Sequence, residues 1–294
     1  MLNFVQKLFK KKIKNYQKLF DYISKYSYVF DKNNATETVS GYEDCIWQFW
    51  WQGKDNAPLI VKKCMESVEK FYPNKVIVID KDNYSKYVEI PQYIIEKLEK
   101  KEMGLAHFSD ILRVYLLTKY GGTWIDTTVY LSDKIPSDIL NADFFMFKST
   151  AWALCPTVPS NDMLKVLDSI PHYLGSDACS SWFIHSKPNN LILNTVKSFL
   201  NEYWKEETCL VNYFLFHYIL TFVLLNNEDC AKIFETMPNK NNRNPHLLAN
   251  VLYSEFNKDL FDEIKTYSSI HKLTYKKPKA DKEKNLFIDE IVKG

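Results

Sequence analysis

The chain has 294 residues, 46% of them hydrophobic and 25% charged, so it is long enough to bury a sizeable core and has the make-up of a soluble globular protein. Its 38 basic and 36 acidic residues nearly cancel to a net charge of +2, which points to no particular class of partner. Seven glycines exclude a collagen-like or glycine-linker architecture, and six scattered cysteines without a Cys-x-x-Cys pair argue against a zinc site or disulfide scaffold. Reduced thiols in a cytoplasmic protein are expected.

Residues 1–30 set Leu2, Phe4, Val5, Leu8, Phe9, Ile13, Tyr16, Leu19 and Phe20 at helical spacing against Lys7, Lys10, Lys11, Lys12, Lys14 and Lys18. The lysines interrupt any stretch that would serve as a secretory signal, and the segment is too charged to span a bilayer. Two compatible roles remain: packing of the apolar face on the main domain, or a basic amphipathic helix on an anionic membrane leaflet, each lysine contributing about 1 kcal/mol there. Asp31 to Ser40 is a polar linker, so the expected units are 1–40, a domain over 41–277 and a polar basic tail over 278–294.

Cys45 to Trp51 is β-prone and ends in a turn at Gly53. A helix over Ala57–Phe71 follows, with Pro58 at its start, and then the apolar run Lys75–Asp80 reads as a buried parallel strand. This β-α-β order opens an α/β fold. Helices are predicted at Pro91–Lys101, Pro136–Leu140 and Pro188–Trp204, and strands at Phe144–Lys148 and Ser180–Ile184. Leu210–Leu225 falls short of a membrane span and reads as a core helix, with His217 as a satisfied core histidine. More helices follow, to about Ile264.

The most informative stretch is His107–Lys134. Phe108, Ile111, Leu112, Tyr115 and Leu116 form a helical stripe, with Asp110 and Arg113 sharing a face away from it. Tyr120-Gly121-Gly122 ends the helix, and Thr123–Asp126 is a short strand followed by Thr127-Thr128. A single carboxylate is thereby placed at a strand end, where open α/β sheets bind ligands.

Ser-Asp-Ile-Leu-Arg, Tyr-Gly-Gly and Trp-Ile-Asp-Thr-Thr in this stretch resemble the sugar-nucleotide signature of glycosyltransferase family 32, in particular the bacterial capsular polysaccharide synthesis glycosyltransferases. Ile46–Gly53 is similar to that family's opening strand and His271–Lys276 to its C-terminal segment, so the resemblance covers roughly Tyr42 to Lys277. It implies a GT-A-like, Rossmann-like nucleotide-sugar-binding domain with a helical C-terminal part behind the N-terminal basic amphipathic helix. The implied activity is retaining transfer of a sugar, with a UDP-sugar as the expected donor. The acceptor would be a lipid-linked capsular or exopolysaccharide unit at the inner face of the membrane.

The same resemblance suggests roles. Asp126 would serve the metal and ribose site; the family usually carries Asp-x-Asp here, and Thr128 stands in place of the second acid. A divalent cation, Mn2+ or Mg2+, is implied, with His271 as a further ligand in place of the missing carboxylate. Asp110 and Arg113, beside Ser109, would hold the donor sugar, while Lys272 and Lys276 would face phosphate. Trp47, Trp50 and Trp51 offer aromatic faces for the base, alternation placing Trp47 and Trp51 on one side and Trp50 on the other. Asn83 is a candidate partner of base or ribose, and Ser181 and Trp182 of the acceptor. Other chemistries lack their motifs: there is no Gly-x-x-x-x-Gly-Lys-Ser/Thr, Gly-x-Gly-x-x-Gly or Gly-x-Ser-x-Gly, and, the N-terminal arm set aside, no nucleic-acid-binding stripe. Two alternatives stay open: a scaffold subunit that binds sugar nucleotide without turnover, because of Thr128, and a transferase of a phosphorylated group.

Overall fold

The computed structural model describes residues 16–32, 35–154, 178–276 and 285–293. Residues 1–15, which carry most of the N-terminal lysines, and 277–284, the most basic part of the C-terminal tail, lie outside them. The fold is mixed α/β. Strands β1 (Ile46–Phe49), β2 (Val76–Ile79), β3 (Gly122–Ile125), β5 (Phe144–Lys148) and β6 (Cys179–Ser186) form one sheet in the order β2-β1-β3-β6-β5. The first three are parallel; β6 runs antiparallel to both β3 and β5. A small second sheet pairs β4 (Val129–Leu131) with β7 (Ile270–Lys272), antiparallel.

Period-two alternation distributes the apolar side chains between two cores. Trp47, Ile79, Trp124, Met146 and Ile184 face one layer, while Ile46, Ile125, Phe145 and Phe183 face the other. The first layer holds α3 (Gln92–Glu99), α4 (Leu105–Tyr120), α7 (Leu191–Glu206) and α8 (Leu215–Asn226). Helix α2 (Leu59–Phe71) buries Val61, Cys64, Met65 and Val68 and, with the β4-β7 ribbon, covers the opposite face. Further helices are α5 (Ser137–Leu140), α6 (Thr150–Ala153), α9 (Glu228–Thr236), α10 (Leu247–Val251) and α11 (Lys258–Tyr267). The sheet is thus sandwiched between two covering layers.

The N-terminal segment joins the main core. Helix α1 (Tyr16–Ile23) and the 3₁₀ helix Ser24–Asp31 bury Leu19, Phe20, Ile23, Tyr26 and Val29 in the same cluster as α7 and α8. Phe20 meets Phe222 edge-on at 5.4 Å. The packing role therefore holds for 19–29, and the linker at 31–40 does not divide two cores. At the other end, residues 278–294 were expected as a polar tail, yet Phe287–Lys293 forms helix α12 and buries Phe287 and Ile291 beside α2.

One local device positions the site. Gly121 and Gly122 have φ of 70° and 89°, and a Cβ on Gly122 would lie 2.4 Å from the Cys45 carbonyl. Only glycine lets α4 end and β3 start this close to the chain entering β1.

Candidate active site

The parallel strands β1 and β3 end on the same edge of the sheet, and a cavity of about 450 Å³ opens there. Phe49, Trp50, Trp51 and Gln52 wall it after β1, and Asp126, Thr127 and Thr128 after β3. Helix α4 adds Ser109, Asp110 and Arg113, β6 adds Ser181, and the C-terminal segment closes over it with Lys272 and Tyr275.

The sequence pattern pointed Asp110 and Arg113 away from the core, but α4 is packed between the sheet and α7, so its polar face is the cavity wall rather than the surface. Arg113 is 4% exposed. Its Nη1 lies 2.8 Å from Asp110 Oδ1, its Nη2 lies 3.6 Å from Asp126 Oδ1, and the same Nη2 donates to Ser109 Oγ at 2.9 Å. The guanidinium carbon sits 5.0 Å from the Trp124 ring centre and 5.7 Å from that of Phe216, which holds the cation between two aromatic faces. The Nε and Nη1 hydrogens find no well-aligned acceptor among the described residues, so the ion pair with Asp110 is close but leaves donors over for a ligand.

Asp126 follows β3, anchored through its own N–H to the Trp182 carbonyl at 2.9 Å. Its Oδ1 accepts from Trp124 Nε1 at 2.9 Å, and its Oδ2 accepts from Lys272 Nζ at 2.7 Å. The same ammonium donates to Thr128 Oγ1 at 2.6 Å. Burial works to raise the Asp126 pKa, but Lys272 and Arg113 outweigh it and hold the carboxyl below its usual range. Asp110, with only Arg113 as counter-ion and Asp126 as a neighbouring like charge, is pushed up by burial to about 6. Two carboxylates of one cavity are thus driven apart in pKa, a pattern found at functional sites.

The predicted residues divide cleanly. Trp50, Trp51, Ser109, Asp110, Arg113, Asp126, Thr128, Ser181 and Lys272 all line the cavity. Trp47 does not: it is fully buried, and its indole N–H donates to the Gly121 carbonyl at 2.9 Å. Alternation fails beyond Phe49 because β1 ends there, and both Trp50 and Trp51 reach the cavity from the following turn. Asn83 braces the end of β2, accepting from Asp80 N–H and donating to the Val78 carbonyl, each at 2.9 Å. Trp182 points to the opposite side of β6 from Ser181, stacked on Phe147 at 4.8 Å. Lys276 is exposed just beyond Tyr275. His271 is wholly buried, with Nε2 against Ser132 Oγ at 2.9 Å, and does not line the cavity.

Sequence reasoning missed several lining residues. Leu105, Ala106 and His107 come from the first turn of α4, Tyr213 from just before α8 and His217 from its first turn, and Tyr275 from the closing segment. Only the aromatic Tyr275, next to the lysine already singled out, carried a usable signal.

A resident divalent cation does not fit this donor set. Hard cations need carboxylate or other oxygen ligands, yet Asp126 and Thr128 already share the Lys272 ammonium and Asp110 is engaged by Arg113. The imidazole expected to complete the set, His271, is in the core, and among the described residues no three His, Cys, Asp or Glu side chains converge.

Comparison with known families is decisive at a coarser level. A profile described as capsular polysaccharide synthesis protein matches residues 1–291. The chain belongs to that family. No curated protein matches it. The family match takes in the N-terminal segment as well as the cavity, in keeping with the shared core.

Proposed function

We propose that this member of the capsular polysaccharide synthesis family is a retaining glycosyltransferase with a GT-A-like fold. It transfers a sugar from a nucleoside-diphosphate donor, with UDP as the first candidate, to a lipid-linked saccharide. The observation that carries the reading is the cluster Asp110–Arg113–Asp126–Lys272 in one cavity at the C-terminal edge of parallel strands, flanked by Trp50 and Trp51. Acids that accept sugar or ribose hydroxyls, cations that meet phosphate, and aromatic walls are the groups this reaction requires.

In this reading Asp110, with the spare hydrogens of Arg113, orients the donor sugar, and Trp51 faces the base. Bond breaking between the anomeric carbon and diphosphate oxygen accompanies attack by the acceptor hydroxyl on the same face, and the departing diphosphate oxygen takes the hydroxyl proton. No protein base is needed. Ser181, on the far side of the cavity from Trp51 along the sheet order, is assigned to the acceptor. The lysines of residues 1–15 are assigned to an anionic leaflet; no helix among the described residues is long and apolar enough to cross a membrane.

Donor hydrolysis and calorimetric nucleotide binding test this directly. Asp126→Ala is expected to lose turnover while still folding and unfolding cooperatively. Wild-type turnover in that variant removes the site assignment. Tight nucleotide binding by the wild type without any turnover turns the reading to a sugar-nucleotide-binding scaffold.

A further inference from the structure

We infer that Lys272 is the cation that meets the diphosphate leaving group, in the position a divalent metal would otherwise take, so that donor binding needs no metal. The inference rests on the transferase reading above and names how that site handles phosphate charge.

The geometry is specific. An ammonium has three N–H donors and no acceptor. In Lys272 two of them are spent on Asp126 Oδ2 and Thr128 Oγ1, at 2.7 and 2.6 Å. These are the two positions of the resembled acidic motif itself, so the ammonium stands between the side chains that would otherwise be its metal ligands. The third hydrogen is left for a ligand, and Lys272 lines the cavity with its side chain 19% exposed. The backbone fixes the ammonium there: β7 pairs Lys272 with Val129, and Leu273 N–H donates to the Thr128 carbonyl at 2.9 Å. The same pairing turns the preceding His271 to the other side of the ribbon, out of reach of the cavity.

Charge count supports the assignment. Asp110 and Asp126 are matched by Arg113 and Lys272, a closed set of two anions and two cations. A dication entering it meets two fixed cations and no carboxylate free of one, whereas a phosphate oxygen meets a lysine with a donor to spare. Thr128 then has a clear use. A second acid there would compete with phosphate for the ammonium; the hydroxyl holds Lys272 without adding a negative charge. Lys276, exposed four residues past the ribbon, follows the cavity-lining Tyr275.

The test uses the full chain and titration calorimetry with UDP, GDP, ADP and CDP in turn, first with EDTA and then with Mn2+. The wild type is expected to bind its diphosphate within about twofold of the same affinity in both conditions. Lys272→Ala is expected to weaken the diphosphate by about tenfold or more while changing the matching monophosphate by less than about threefold, and Lys272→Arg to retain part of the loss. If EDTA weakens wild-type binding about tenfold and Mn2+ restores it, the inference is overturned while the transferase reading stands. Should no nucleoside diphosphate bind in either condition, both fall. Where Lys272→Ala proves unstable, the wild-type arm still decides the metal requirement, and Lys272→Arg decides the role of Lys272: diphosphate affinity unchanged from wild type together with metal-dependent binding overturns the inference.

Discussion

Arg113→Met asks whether the guanidinium is the counter-ion that lets two acids share a buried wall. Removing one member of a buried ion pair costs roughly 3–5 kcal/mol because the partner is left charged and unpaired. Two features lower that figure here. Asp126 is 27% exposed and keeps Lys272 at 2.7 Å, so Asp110, 13% exposed, is the only acid stranded. Asp110 also has an outlet, since burial already raises its pKa to about 6 and it takes up a proton more readily once Arg113 is gone. A loss of about 2–3 kcal/mol at pH 7.5 follows, or roughly 3–5 °C in the unfolding midpoint of a chain of this size. The sign with pH is fixed by linkage. A carboxyl whose folded pKa lies above its unfolded value is disfavoured by the fold when ionised, so stability is greatest at low pH and falls as pH rises through the folded pKa. The penalty of Arg113→Met is therefore expected to shrink at pH 5, where Asp110 is protonated in the variant. Adding Asp110→Asn should recover part of the loss at pH 7.5, since the pair is coupled. Thermal unfolding of the three proteins at both pH values provides the assay. A midpoint shift under 1 °C, or the same shift at both pH values and in the double variant, refutes the counter-ion argument.

Trp51→Ala is expected to weaken nucleotide binding by about tenfold or more, base stacking being worth roughly 1–3 kcal/mol, and calorimetry reads it. Trp47→Phe is the contrast: it strands the Gly121 carbonyl now bonded at 2.9 Å, lowering stability by about 1–3 kcal/mol with nucleotide affinity unchanged. Deleting residues 1–15 removes Lys7, Lys10, Lys11, Lys12 and Lys14 and is expected to release the protein from anionic vesicles in a flotation assay while donor hydrolysis continues. Deleting 1–30 should instead yield aggregates, because Leu19, Phe20, Ile23, Tyr26 and Val29 leave the core at roughly 1.5–3 kcal/mol each, a sum comparable to the whole stability of a domain.

The course of the backbone was largely written in the order of apolar runs. Lys75–Asp80 encloses a continuous apolar run that pairs parallel with β1, although β2 is the edge strand and only Ile79 of it is fully buried, and Gly121-Gly122 reads as a stop because no side chain fits beside Cys45. Asp126 was legible for the same reason: a lone acid directly after a buried strand has only the sheet edge to occupy. What one-dimensional pattern could not supply was which side of an element meets a cavity rather than solvent or core. The helix stripe identified the apolar face of α4 correctly, but periodicity treats the opposite face as surface, whereas here it is one wall of a cavity that Tyr213, His217 and the closing segment wall from other sides. His217 shows the converse, since pattern alone assigns the polar member of an apolar helix to the core, whereas its side chain borders the same cavity.

The pair His271-Lys272 shows the limit most sharply. Both residues suited the chemistry, one as a metal ligand and the other as a phosphate partner, and adjacent residues of a strand point to opposite sides. Only one of the two can therefore serve the cavity. The choice rests on a register that joins residues about 140 positions apart, Val129 with Lys272 and Tyr130 with His271. A slip by one residue would exchange them, bringing an imidazole to Asp126 and burying an ammonium beside Ser132. Burial of an unpaired ammonium is far more costly than burial of a neutral imidazole, and the His271 pKa is lowered by burial to about 4, keeping the ring neutral where it is. The desolvation cost of lysine thus selects the register, and the register in turn selects a lysine, not a histidine, as the group that faces Asp126.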